Sequence, residues 1–330
     1  MKKLLFFFAL CAFLLCGCSE SSTNFSSGLQ KSNFFAMDTS IEFNIYGDAS
    51  LLKEAQNVLT DLESEVSVTD PDSEIYKINQ DGTGTLTGNA GNLMQEALEM
   101  CRRTDGALDI SVYPIVRAWG FTTEEYQVPE ETEIESLLPL VDYTKIQYDT
   151  ATGNVSIPKG MTIDLGSIAK GYGGQLAAQL LREKGVTSAL LNLGGNVQTI
   201  GSKPDGSPWQ VGIQDPTGDT PMMVLSVSDQ AVITSGGYER YFEQDGKTYW
   251  HIMDPSTGHP ADSGLCTEKQ RGPSDAGRAG TGAGPLRQLP GAQPWLSPRF
   301  TWKSSPPSPG FCAWRGCRCH PEIRRMGRRS

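Results

Sequence analysis

Cysteine is nearly absent from the middle of this chain. Of eight cysteines, Cys11, Cys16 and Cys18 lie at the N-terminus and Cys312, Cys317 and Cys319 near the C-terminus, which leaves Cys101 and Cys266 between them. Two cysteines make no disulfide framework, so stability rests on a buried core. About 230 residues suffice for one large domain or two small ones. The Cys-x4-Cys-x-Cys-His spacing that ends at His320 matches no common zinc site. The sequence also lacks a G-x-G-x-x-G after its first strand and any Walker A run, which excludes Rossmann and P-loop nucleotide sites. It has no internal repeat and no coiled-coil pattern. Positive charge is scarce over residues 1–266, where 16 of the 28 Lys and Arg face 35 of the 38 Asp and Glu. That balance argues against nucleic acid as a partner. Residues 267–330 reverse it, with 12 basic and 3 acidic residues, no valine and Ile323 as the one isoleucine. A basic arm for nucleic acid or anionic lipid, a disordered tail and a segment read out of frame would each give this composition. The change falls in mid-domain rather than at a linker, which favours a shifted frame.

What is present begins with Lys2 and Lys3, followed by an apolar run from Leu4 to Leu15 and then Cys16-Gly17-Cys18. A basic start and a short apolar run form a secretory signal, too short for a comfortable membrane span. A small residue before a cysteine is similar to the lipobox of bacterial lipoproteins. The expectation is a signal over 1–18, lipid on Cys18, and a place on the extracytoplasmic or periplasmic side of the cell membrane. An ordinary cleaved signal is the alternative. Residues 19–32 are rich in Ser, Asn and Gly and read as a flexible tether.

The folded part follows as mixed elements. Phe35–Tyr46 alternates like a strand. Leu51, Leu52, Ala55, Val58, Leu59 and Leu62 recur at helical spacing, as do Leu93, Met94, Ala97, Leu98 and Cys101 within a helix from Asn92 to Arg103. A shorter helix is predicted over Ile134–Val141, and a hairpin over 145–157. Met161-Thr162-Ile163 reads as a strand before a helix that opens near Asp164 and stops near Gly185. Ala189–Leu191 is a strand, and further strands are predicted at Val197–Ile200, Gln210–Gln214, Met223–Val227, Ala231–Thr234 and Thr248–Met253. Hairpins mixed with helices indicate an α+β fold.

Four segments place polar residues beside glycine: Ala36-Met37-Asp38-Thr39; Gly106-Ala107-Leu108-Asp109-Ile110-Ser111; Asp164-Leu165-Gly166-Ser167-Ile168-Ala169-Lys170-Gly171 with Asn192-Leu193-Gly194-Gly195-Asn196; and Thr234-Ser235-Gly236-Gly237-Tyr238 with His251-Ile252-Met253-Asp254-Pro255-Ser256-Thr257-Gly258. A helix start offers unpaired N–H groups and partial positive charge to an anion, and glycine lets a ligand approach the backbone. The third segment is thus a candidate nucleotide or phosphate site. Each residue also has a plainer role: Asp164 as a helix cap, Lys170 as a solvated charge, Asp109 as a turn residue, His251 as a strand histidine.

Taken in order, these motifs resemble the FAD:protein FMN transferase (ApbE-like) family over about residues 33–266. The resemblance implies an α+β, T-fold-like arrangement of mixed sheets with flanking helices. It implies Mg²⁺-dependent cleavage of FAD, attachment of FMN to a Thr or Ser of an acceptor flavoprotein, and release of AMP. It places Met37, Ala107, Leu108, Asp109, Asp164, Lys170 and Ile252 against FAD, Ser167 at Mg²⁺, and His251 near the phosphates as general base. The family continues with a strand and an Asp-x-x-x-Thr segment whose side chains bind the metal. Here Gly264-Leu265-Cys266 begins such a strand and the pattern then dissolves, so the domain is expected to lack its last part. An FAD pyrophosphatase yielding FMN and AMP, and a flavin-binding lipoprotein without catalysis, are the alternatives.

Overall fold

The chain enters its fold through a hairpin. In the computed structural model, which describes residues 28–215 and 220–262, Leu29–Ala36 (β1) pairs antiparallel with Thr39–Tyr46 (β2) from Leu29↔Tyr46 to Ala36↔Thr39. Met37 and Asp38 form the two-residue turn, both left-handed at φ 51 and 57, which suits the twist of the flanking strands. This corrects two boundaries. The strand begins inside the predicted tether of 19–32, because an eight-residue ladder outweighs the polar composition of its first half. The turn also splits the run predicted as one strand. Residues 1–27 and 263–330, which hold the predicted signal, Cys18 and the basic tail, lie outside the described residues.

Ser50–Val66 (α1) buries Leu51, Leu52, Ala55, Leu59, Leu62 and Val66 on one face. Glu74–Asp81 (α2) is not legible from spacing, since only Ile75 and Ile78 are buried. Its ends are nonetheless well marked: Ser73 accepts from the Tyr76 N–H at 3.0 Å, and left-handed Gly82 closes it. Thr83–Thr85 (β3) leads to Gly88–Arg103 (α3), which starts four residues before its predicted first turn. Tyr113–Ala118 (α4) follows a short 3₁₀ turn, and Glu131–Leu137 (α5) lies three residues ahead of its prediction, because the chain tightens to a 3₁₀ turn at Leu138–Leu140 around Pro139. Gln147–Tyr148 (β4) and Asn154–Ser156 (β5) make the predicted hairpin and add β3 at the far side of β5.

Met161-Thr162-Ile163 is not a strand. Met161, Ile163 and Leu165 are buried in alternation, which mimics one, yet the segment joins no ladder. The Asn79 amide takes the place of a neighbouring strand, accepting from the Ile163 N–H at 2.7 Å and donating to the Ile163 carbonyl at 2.9 Å. Gly166–Glu183 (α6) follows, then Ala189–Leu193 (β6), Asn196–Ile200 (β7), Trp209–Gln214 (β8), Pro221–Val227 (β9), Ala231–Ile233 (β10), Tyr241–Gln244 (β11) and Lys247–Trp250 (β12). The predicted strand Thr248–Met253 is therefore shorter, and Met253 forms only an isolated bridge to Pro260.

The main sheet is antiparallel, in the order β1-β2-β6-β7-β10. Its inner face packs Phe43, Ile45 and Leu191 against Leu59 of α1 and Ala177 and Leu181 of α6. Each large side chain buried this way stabilises the fold by about 1.5–3 kcal/mol. The two helices approach closely at Gly173, where a Cβ would stand 2.7 Å from Leu59 Cδ2. A second cluster joins α3 to the 161–165 segment through Leu93, Met94, Ile110, Ile163 and Leu165. A third surrounds Trp119 and carries the β11–β12 hairpin.

Candidate active site

The β1–β2 turn, the start of α6, the β6–β7 turn and the approach to β12 meet at one end of the main sheet. Gly194 is left-handed at φ 58, and a Cβ there would fall 2.0 Å from Thr39 Oγ1, so the first and third motifs touch without room for a side chain. Asn192 Oδ1 accepts from the Gly195 N–H at 3.0 Å and fixes that turn. A Cβ on Gly171 would lie 3.5 Å from the Asn196 amide, which puts the β6–β7 turn beside the first turns of α6.

Met37 is held by its backbone: its N–H donates to Glu63 Oε1 at 2.8 Å. Its side chain reaches the α1–α6 seam, where its Cε would be 3.2 Å from a Cβ on Gly173. Its neighbour Asp38 pairs with the Arg240 guanidinium across the site. The Asp109 carboxylate is buried and engaged within the protein. Oδ1 accepts from the Ser111 N–H at 2.8 Å and hydroxyl at 2.6 Å, and Oδ2 accepts from the Tyr143 N–H at 3.0 Å. Asp109 thus serves as the turn residue of the plainer reading and shapes the run before it, in which Ala107 is exposed and Leu108 half-buried. That run joins the third motif through its next residue, since the Asp164 N–H donates to the Ile110 carbonyl at 2.8 Å.

Asp164 begins α6 by accepting from the Gly166 N–H at 2.8 Å. Part of the residue is exposed, yet its carboxyl is desolvated and held above the usual carboxylate range. The phenol of buried Tyr113 is pushed up by burial, and the charge of Asp164 adds to that shift. Lys170, one helical turn beyond Ser167, is half-buried. Desolvation lowers its pKa and Glu239 opposes that shift. Ser167 stands exposed on the first turn.

The His251 imidazole is desolvated and flanked by Arg240 and Lys170, and its pKa falls to about 4. Its Nδ1 lies 3.2 Å from the Arg240 carbonyl, which also accepts its backbone N–H at 3.1 Å. A carbonyl can only accept, so Nδ1 carries the proton and Nε2 keeps its lone pair. The edge of Phe121, 6.3 Å between centroids, backs the ring. Ile252 is half-buried, and its carbonyl accepts from the Ala261 N–H at 2.8 Å. The Asp254–Gly258 turn is anchored by Trp119 Nε1, which donates to the Gly258 carbonyl at 2.8 Å.

The structure therefore gathers Asp38, Lys170, Arg240 and His251, and links Asp109 to Asp164 through the backbone. Arg240, Glu63 and Tyr113 are not singled out by the sequence. Arg240 follows the Ser-Gly-Gly-Tyr motif by two residues, the one signal that marks it. Among the described residues no three His, Cys, Asp or Glu side chains gather as metal ligands. Ser167 alone does not make a magnesium site. No described helix is long and apolar enough to cross a membrane.

Residues 37–267 match the profile of the ApbE family. An FAD:protein FMN transferase of Klebsiella pneumoniae is 33% identical over 236 residues, covering 69% of this chain and 73% of that protein. One from Vibrio cholerae is 34% identical over 226 residues, covering 64% and 65%. The chain thus spans about two thirds of the length of the curated relatives it matches. Among solved structures, the ApbE protein of Thermotoga maritima superposes with a TM-score of 0.68 at 33% identity, covering 71% of this chain and 79% of that one. The apo flavinyl transferase ApbE of Pseudomonas stutzeri does so at 0.64 and 26%, covering 71% and 77%. The match takes in every glycine-bearing motif from Met37 onward, the mixed α+β architecture is shared, and the relatives are transferases; the chain belongs to the ApbE family.

Proposed function

We propose that this chain is an FAD:protein FMN transferase. The observation that carries the reading is the neutral, half-buried His251, whose Nδ1 lies 3.2 Å from the Arg240 carbonyl so that Nε2 keeps its lone pair, with the Arg240 and Lys170 charges acting on the ring. A pyrophosphate set between those cations and the start of the 18-residue helix α6 would have its charge compensated on three sides. An acceptor Thr or Ser hydroxyl then attacks the phosphorus on the FMN side. Its proton passes to Nε2, the P–O bond to the AMP half breaks, and AMP leaves with the bridging oxygen. Phosphoryl transfer needs positioning and charge neutralisation more than covalent help, and these residues supply both. A base with a pKa near 4 is weak. The charge of the bound pyrophosphate offsets Arg240 and Lys170 and raises it toward the working range.

Magnesium belongs to this reading as a charge that would stabilise the transfer, and Ser167 on α6 would be one of its contacts. The flavin lies against Met37, Ala107, Leu108 and Ile252, with Asp109, Asp164 and Lys170 completing the pocket. The acceptor is a flavoprotein subunit with a Thr or Ser acceptor motif, met outside the cytoplasm, and lipid on Cys18 holds the enzyme at the membrane. In the test, the full chain is incubated with FAD, Mg²⁺ and a Thr-bearing acceptor. The expected products are FMN bonded to the acceptor and an equal amount of AMP, formed slowly by the chain as it stands, with chelation stopping both. FMN and AMP free in solution would instead identify a pyrophosphatase, and FAD held intact a flavin binder.

A further inference from the structure

The geometry points to Asp38 as a positioning residue for His251, acting through Arg240. This rests on the reading of His251 as the base. The β11–β12 ladder ends at the pair Tyr241↔Trp250, so Arg240 and His251 sit one pair beyond its last rung. They are joined there by the Arg240 carbonyl, which accepts from both the backbone N–H and Nδ1 of His251, at 3.1 and 3.2 Å. Residues past the end of a two-stranded ladder fray unless something else holds them. Here the Asp38 carboxylate holds the Arg240 guanidinium from across the site.

Asp38 is itself well placed for that task. It occupies a left-handed position at φ 57 in a two-residue turn. That turn is closed by the Ala36↔Thr39 pair and tied to α1 by the bond from the Met37 N–H to Glu63. The side chain of Asp38 is 63% exposed and that of Arg240 33%. A pair so exposed adds little to stability, so its consequence lies in where it keeps the Arg240 main chain. Of the two cations whose charge acts on the imidazole, Arg240 is paired with Asp38, and the charge of Glu239 acts on Lys170. The turn that carries Met37 is thereby coupled to the tautomer of the histidine. When the turn is in place, Nδ1 is protonated and Nε2 is free. When it is displaced, the ring loses its carbonyl partner and reverts to the Nε2–H form that free imidazole side chains favour.

Imidazole nitrogen NMR of the full chain near neutral pH reads this directly, with the His251 signals assigned by their loss in His251→Asn. The wild-type ring is expected as the Nδ1–H tautomer. Asp38→Ala should shift the tautomer ratio toward Nε2–H by up to about fivefold, the most that loss of an exposed ion pair can supply. Asp38→Glu should restore it, and Arg240→Ala should give the same shift, with no further change in the double variant. Asp38→Asn, which keeps the shape, guards against loss of fold in the alanine variant, and thermal melting of each variant confirms its core. A wild-type Nε2–H ring, or a folded Asp38→Asn or Asp38→Ala that keeps the wild-type tautomer, would overturn the inference. The base reading fails separately, if His251→Asn turns over FAD as fast as the wild type.

Discussion

His251 shows how much a single residue can report. Its imidazole titrates at about 4 in the folded protein and near 6.5 in an unfolded chain. Between those values the unfolded chain takes up the proton and the folded one does not, so stability rises with pH through that window and levels off above it. Below both values the penalty is complete, about 3 kcal/mol. His251→Asn should therefore flatten the dependence of the urea midpoint on pH between 6.5 and 4. An unaltered slope would show that the ring titrates normally. Gly194 makes a second claim at this scale. Alanine there would need φ near 58 and would place its Cβ 2.0 Å from Thr39 Oγ1. Gly194→Ala should lose about 1–3 kcal/mol in chemical denaturation; a neutral result would mean that the β6–β7 turn is free to move. Both residues are legible in the sequence because glycine and histidine stand out chemically. Glu63 is not, since nothing distinguishes it from the other acids of α1 until its carboxylate is seen on the Met37 N–H.

At the scale of elements, legibility follows the width of the buried face. α1, α3 and α6 each bury six side chains or glycines at helical spacing, and all three are readable. α2, with two buried residues, and β11, with four residues, give too short a period to register. The 161–163 segment misleads for a different reason. Alternation reports burial on one side, and a side-chain amide satisfies the backbone where a strand is expected. The β11–β12 hairpin depends on Trp119, whose ring centroid lies 5.2 Å from that of Tyr249 on β12 and whose Nε1 holds Gly258. Trp119→Ala should destabilise the protein by about 3–5 kcal/mol. Amide exchange should quicken first over residues 241–258, ahead of the main sheet. Uniform quickening across both would show that the hairpin has no separate dependence on this ring.

Across the whole molecule, the acidic body and basic tail divide where the family match stops, at residue 267. If residues 267–330 are read from a shifted frame, another frame of the gene should encode a strand and then an Asp and a Thr opening an apolar helix. A chain carrying that continuation should flavinylate a Thr-bearing acceptor with FAD and Mg²⁺ far faster than the chain as it stands. Equal, metal-dependent rates from the two would show that transfer does not need that continuation. On the proposed reading these motifs build one flavin site, with Asp164 and Lys170 in it. Titration of FAD into the full chain tests it most directly. The wild type should bind FAD saturably, and folded Asp164→Ala and Lys170→Ala should each bind it more than tenfold more weakly, a loss of at least about 1.4 kcal/mol. Undiminished affinity in both variants, or no binding by the wild type, would show that these motifs do not form a flavin site.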